Sequence, residues 1–117
     1  MTQYKPGLHI LGTFSSSLAL LTNALECKTC FDQLIEELSL QKVGEVYHSF
    51  DNGGFTAVVC LTESHVSIHT WPEHSLATFD VYLSNFEHDN TEKVRAFYAG
   101  TLRHFAASII TQQEIMR

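Results

Sequence analysis

The sequence predicts an α+β domain, a two-layer sandwich in which an antiparallel β-sheet carries two helices packed on one face. Three observations lead there. Consecutive segments between Gly44 and Phe86 have strand character and are joined by turns too short for anything but antiparallel pairing. Two further segments, Asn23–Gln41 and Thr91–Met116, carry apolar residues at helical spacing. The chain has 117 residues, 44% hydrophobic and 17% charged, which suits one core and a single domain over 1–117.

Leu8–Phe14 (LHILGTF) reads as the first strand, with Pro6-Gly7 before it and Ser15-Ser16-Ser17 after it. In Asn23–Gln41 the residues Cys27, Phe31, Leu34 and Leu38 fall on one stripe, with Glu26, Lys28, Glu36 and Glu37 mostly off it. Gly44–Phe50 is a strand closed by the turn Asp51-Asn52-Gly53-Gly54. Phe55–Leu61 (FTAVVCL) looks buried on both faces, which makes Cys60 a core residue. His65–Trp71 alternates: Val66 and Ile68 point one way, while His65, Ser67, His69 and Trp71 point the other, until Pro72 ends the ladder. Leu76–Phe86 is the next strand. A last helix over Thr91–Met116, capped by Asp89 or Asn90, presents Val94, Phe97, Tyr98, Leu102, Phe105 and Ile109. The expected order is β-α-β-β-β-β-α. Helices cover only one face of such a sheet, and a second copy of the chain is the simplest cover for the other.

Several function classes are disfavoured at once. The net charge is −6, and the seven Lys and Arg residues are scattered from Lys5 to Arg117, so no basic face for nucleic acid is expected. No apolar run approaches the roughly 20 residues of a membrane span. Ser17–Leu21 lacks the basic flank and cleavage site of a signal peptide. Three cysteines without a secretory signal suit a reducing compartment, by default the cytoplasm. Cys27 and Cys30 have CxxC spacing, but no second pair follows and Cys27 shares the helix stripe, so both are read as buried helix residues. His65, His69 and His74 have spacings that fit a helix or loop better than a strand, and no metal site is expected. His9, His48, His88 and His104 receive no functional role. Glu36-Glu37 and Glu87–Asp89 read as solvated charges.

The informative stretch is Thr62–Glu73 (TESHVSIHTWPE). It places two histidines, a serine and a tryptophan on the polar face of one strand, with Glu63-Ser64 at the turn before it. A serine hydroxyl held against the preceding carbonyl in a strained turn can attack it in an N-to-O acyl shift, with a nearby imidazole moving protons. A polar strand face, open to water or sealed in an interface, fits the same residues. Pattern alone leaves both readings open.

The run ESHVSIHTWPE closely resembles the motif of the small prokaryotic S-adenosylmethionine decarboxylases, usually ESHxSIHTWPE. GLHILG near the start, YHSFDNGGFTAVV before the motif and TFDVYLSN after it extend the similarity over nearly the whole chain. The resemblance implies a proenzyme that cuts itself at Glu63–Ser64. Ser64 then ends as a covalent pyruvoyl cofactor, whose carbonyl condenses with the substrate amine and accepts electrons as carbon dioxide leaves. It implies no metal. It further implies that His69 assists processing as the base of a β-elimination, and that Thr56, at a position usually serine, helps. Phe50 and Trp71 match aromatic positions near substrate, and Glu73 an acidic position that binds ribose hydroxyls. The family builds its active sites from two subunits, so a homodimer is expected.

One departure stands out. The resemblance places a proton-donating cysteine fifteen residues beyond the motif histidine, and here that position is Ser84. A hydroxyl is a far weaker acid than a thiol. Glu73-His74-Ser75-Leu76 also replaces the usual Glu-Tyr-Gly-Tyr. The expected activity is therefore S-adenosylmethionine decarboxylation, feeding spermidine synthesis. The alternatives are a pyruvoyl decarboxylase acting on arginine or ornithine, and an unprocessed regulatory relative.

Overall fold

Side chains that alternate in and out along a strand leave a sheet with one oily face, and amphipathic helices must lie on it. The computed structural model describes residues 3–117. Its elements run β1 (Leu8–Ser15), α1 (Leu18–Leu21), α2 (Ala24–Glu37), β2 (Lys42–Ser49), β3 (Phe55–Leu61), β4 (Ser64–Trp71), a 3-10 turn (Pro72–His74), β5 (Leu76–Leu83), α3 (Thr91–His104) and β6 (Ser108–Met116). All six strands form one sheet in the order β2-β3-β4-β5-β1-β6, antiparallel throughout. The expected two-layer α+β architecture is present, with α2 and α3 on one face of the sheet. No helix among the described residues is long and apolar enough to cross a membrane.

The core lies between that face and the helices. Ile10 and Phe14 of β1, Ala57 and Val59 of β3, Val66 and Ile68 of β4, and Phe79 and Val81 of β5 are all buried. Phe31 of α2 fills the middle, its ring 5.4 Å from Phe97 of α3 and 5.9 Å from Phe79. Tyr98 stacks on Phe79 at 5.7 Å. The Tyr98 hydroxyl reaches over Gly12, where a Cβ would stand 2.1 Å from it. Thr70 is the one buried polar residue of β4; its Oγ1 donates to the Leu21 carbonyl at 2.8 Å and accepts from the Phe55 N–H at 2.9 Å. Both bonds satisfy groups that burial would otherwise leave orphaned.

Three expectations need correction. The last helix stops at His104 and does not run to Met116. Ala106 turns the chain with φ of 46°, and Ser108–Met116 pairs along the outer edge of β1 as β6. Ile109, assigned above to the helix stripe, sits in that strand opposite Phe14. The cluster of β-branched residues (Ile109, Ile110, Thr111) favours a strand, and an available sheet edge decides in its favour. Secondly, β3 is buried on one face only: Phe55, Ala57, Val59 and Leu61 face the helices, whereas Thr56 and Val58 do not. Cys60 shares that uncovered side and is exposed, contrary to its assignment to the core. Thirdly, a short helix, α1, capped by Ser17 precedes α2. Cys27 is buried on α2 as expected, and burial lifts its thiol well above the ordinary range; Cys30 is half-buried and pushed up to about 11, mainly by burial.

Gly12→Ala should force Tyr98 out of its place and destabilise the fold by about 1–3 kcal/mol, the usual cost of overpacking. Thermal melting of the variant against the parent checks this; an unchanged midpoint would show that Tyr98 moves freely.

Candidate active site

β3 and β4 pair in a register that sets Thr56 opposite His69. Both point to the uncovered face, and Thr56 Oγ1 and His69 Nδ1 share a hydrogen bond of 3.0 Å. At the same end of the sheet, Trp71 closes β4 and Phe50 leaves β2, the two residues 45% and 51% exposed. The turn after Phe50 is fixed by the Gly53 N–H bonding to the Phe50 carbonyl at 2.9 Å, with Gly53 at φ of 88°. Asn52 in that turn donates from Nδ2 to Glu73 Oε2 at 2.8 Å. Phe50, Thr56, His69, Trp71 and Glu73, singled out above through the family resemblance, thus line one cavity of about 390 Å³. Asn52 was missed; its Asn-Gly setting signalled only a turn.

Glu63-Ser64 lies at the other end of β4. Ser64 has φ of 151°, on the side of the Ramachandran map that glycine occupies freely and other residues at a cost of about 1–3 kcal/mol. The Glu63 carbonyl accepts a hydrogen bond of 2.9 Å from the Ser84 N–H. The Glu63 carboxylate is held as well: Oε1 is 3.1 Å from His88 Nε2 and accepts from Asn90 Nδ2 at 3.0 Å. Asn90 also donates to the Ser84 carbonyl at 2.8 Å. A cleft of about 800 Å³ opens here, lined by Glu63, Ser84 and His88 among others. Ser84 therefore does sit beside the Glu63-Ser64 junction, while His88 and Asn90 were not foreseen, since Glu87–Asp89 reads as a plain solvated run.

Within one chain the two groups stay apart. Ser64 and His69 are five residues apart on a regular strand, a span of roughly 16 Å. The chain thus carries two separate groups of candidate residues, one at each end of β4.

Residues 8–117 match the S-adenosylmethionine decarboxylase family. The S-adenosylmethionine decarboxylase proenzyme of Sulfurihydrogenibium is 34% identical over 98 residues, covering 83% of this chain and 73% of that protein. The corresponding proenzyme of Aquifex aeolicus is 40% identical over 77 residues, 65% of this chain and 57% of that one. The crystal structure of the adenosylmethionine decarboxylase from Aquifex aeolicus superposes with a TM-score of 0.79 at 28% identity, covering 98% of this chain and 91% of that one. The chain belongs to the S-adenosylmethionine decarboxylase family. Its matches span just over half the length of several of these relatives and about three quarters of others.

Two departures from the family motif can now be placed. Ser84 takes up its position beside Glu63 through its backbone, so exchange of its side chain leaves the junction intact. Ser75, where the usual Glu-Tyr-Gly-Tyr has its glycine, carries φ of 55° and stores about 1–2 kcal/mol of left-handed strain next to Glu73.

The uncovered face of this decarboxylase-family sheet also holds a network that the sequence did not reveal. Asp80 of β5 bonds His9 Nε2 at 2.7 Å, His65 Nε2 at 3.1 Å and the Ser67 hydroxyl. Register explains the meeting: β1, β4 and β5 are neighbours, and each side chain points away from the helices. His9, His65 and Asp80 are also the described residues that gather as metal ligands could, in place of His65, His69 and His74. Arg117 argues against such a use. Its Nη1 is 3.3 Å from His9 Nδ1 and can only donate, so Nδ1 accepts and Nε2 carries the proton shared with Asp80.

Burial works against the Asp80 charge, yet the bonds from Ser67, His9 and His65 outweigh it and hold the carboxyl below its ordinary range. A lowered folded-state value means a stabilisation present above the unfolded value and lost as pH falls through the folded one. Below about pH 4 this contribution should fade. Urea midpoints measured from pH 6 to pH 3 should therefore fall less steeply in Asp80→Asn than in the parent; parallel curves would disprove the assignment.

Proposed function

We propose that this chain is a self-processing, pyruvoyl-dependent S-adenosylmethionine decarboxylase, acting as a homodimer in the cytoplasm as one domain and supplying the aminopropyl donor for spermidine synthesis. The observation that carries the reading is the Glu63–Ser64 junction. A serine with a left-handed backbone follows a carbonyl already polarised by an N–H donor, which is what an N-to-O acyl shift requires. Ser64 Oγ bonds to the Glu63 carbonyl carbon, the Glu63–Ser64 C–N bond breaks, and the hydroxyl proton ends on the freed amine. A base then takes the Ser64 Cα proton, the Oγ–Cβ bond breaks, and residues 1–63 leave as a carboxylate. Tautomerisation, addition of water and loss of ammonia leave a pyruvoyl group at the new amino terminus. That group supplies the carbonyl that captures the substrate amine and draws off electrons during decarboxylation.

His69, hydrogen-bonded to Thr56, suits the base of the elimination, but from its own chain it cannot reach Ser64. Two-fold pairing of two copies through their uncovered sheet faces, with the axis crossing the strands, would run the β4 strands in opposite directions. The His69 end of one then lies near the Ser64 end of the other. The same pairing covers Val46 and Val58, which are 66% and 37% exposed on a single chain. It also joins the Ser84 cleft to the cavity of Phe50, Trp71 and Glu73. There the rings can face an adenine or a sulfonium cation, and Glu73 can accept from ribose hydroxyls. Ser84 occupies the proton-donor position.

Intact mass spectrometry should show fragments 1–63 and 64–117 in the parent and an uncleaved chain in Ser64→Ala. Mixing Ser64→Ala with His69→Ala chains, each inert alone, should restore cleavage of the His69→Ala chain only. Failure to complement in a mixed dimer would place the whole site in one chain.

Ser84→Ala should leave cleavage intact and lower carbon dioxide release from S-adenosylmethionine, whereas Ser84→Cys should raise release by roughly 10²-fold over Ser84→Ala. Full activity in Ser84→Ala removes Ser84 from the proton-donor role. Running arginine and ornithine beside S-adenosylmethionine decides the substrate.

A further inference from the structure

Asn90 stands at the N-cap of α3, where an asparagine side chain ordinarily accepts a hydrogen bond from its own helix. Here it makes no such bond. Asp89 takes over part of that work, accepting from the Thr91 N–H at 2.9 Å. The Asn90 side chain is instead fully buried and turned toward the Glu63–Ser64 junction. It donates from Nδ2 to Glu63 Oε1 at 3.0 Å and to the Ser84 carbonyl at 2.8 Å. Its own N–H is held by Asn85 Oδ1 at 2.8 Å, while its Oδ1 has no partner. Leaving a buried amide oxygen unpaired costs about 1–3 kcal/mol, so the residue is arranged for its two donors and not for helix capping.

Those donors hold both sides of the reacting carbonyl. One fixes the Glu63 side chain. The other fixes the Ser84 carbonyl, and with it the residue whose N–H, on the other side of the same Cα, rests on the Glu63 carbonyl oxygen at 2.9 Å. We infer that Asn90 is a positioning residue for self-cleavage, keeping the Ser84 N–H on the Glu63 oxygen while Ser64 attacks. The inference rests on the self-processing reading above. As the Ser64 Oγ–carbon bond forms, the carbonyl π-electrons move onto the Glu63 oxygen. When the Glu63–Ser64 C–N bond breaks they return, and the hydroxyl proton passes to the amine. A donor aligned with that oxygen strengthens as the charge grows, and losing such a donor lowers rates by roughly 10²–10³-fold elsewhere. Asn90 acts at one remove, so a smaller effect is expected. His88 shares Glu63 Oε1 and helps hold the side chain, but has no hold on Ser84.

Hydroxylamine cleaves esters and spares amides, which isolates the first step. In full-length His69→Ala protein the ester should accumulate, and its hydroxylamine-labile fraction can be followed in time. Adding Asn90→Ser, which keeps a good helix cap, or Asn90→Asp, which keeps the size, should slow ester formation at least about 10-fold. Dimer size and melting temperature serve as checks that the fold is kept. A purely structural role predicts the reverse: a lower melting point with ester formed at the His69→Ala rate. That rate in either variant overturns the assignment of Asn90 alone. If His69→Ala never becomes hydroxylamine-labile and the parent stays uncleaved, the self-processing reading falls, and this inference with it.

Discussion

Two helices on one side of a six-stranded sheet leave the opposite side without a cover, and this constraint shapes everything else in the molecule. The covered face is filled with Phe, Val, Ile and Leu side chains at every second position of each central strand. The other face repeats the same strands one residue out of phase, where His9, Thr56, His65, Ser67, His69, Thr78 and Asp80 project. A period of two forces these choices together: any residue that joins the core commits its neighbours to the open side. These polar side chains are there because the core has taken the alternate positions.

This explains what could be read from the sequence and what could not. The alternation in His65–Trp71 and the helix stripe of Cys27, Phe31 and Leu34 are local patterns, and both appear in the structure as they read. Phe50, Thr56, His69, Trp71 and Glu73 were named through the family resemblance, and the hairpin of β3 and β4 accounts only for the meeting of Thr56 and His69. The Asp80 network was not legible, since β1 meets β5 only through the fold, 71 residues separating His9 from Asp80. Cys60 misled because AVVCL is apolar on both sides, and apolar residues facing an uncovered sheet look the same in sequence as residues facing a core. The end of α3 misled for a related reason: Ile109 continues the helical spacing, and only the free edge of β1 makes a strand the better use of it.

The Glu63–Ser64 junction illustrates how strain is kept in place. A left-handed serine persists only where its surroundings over-determine it. Here the turn is clamped by the Ser84 N–H just beyond β5 and by Asn90 at the N-cap of α3. Ser84 takes part in that clamp through its peptide group. A serine at this position is therefore compatible with the clamp, which uses backbone atoms and not the side chain.

The strand order also bears on what cutting at this junction would do. Residues 1–63 hold β1, β2 and β3, and residues 64–117 hold β4, β5 and β6. In the sheet these interleave: β3 lies against β4, β1 lies between β5 and β6, and α2 of the first piece packs on α3 of the second through Phe31 and Phe97. Three of the five strand pairings therefore join the two pieces. Breaking one peptide bond in a tight turn removes none of them. The pieces can separate only if β1 is drawn out from between two strands, with the core exposed in the process. Residue 64, as a new amino terminus, would stay where β3 and β5 hold it. A cut there would release backbone strain at one point while the sheet kept the new terminus in register, which would make a central strand, and not an edge or a tail, a sound place to build a cofactor from the chain itself.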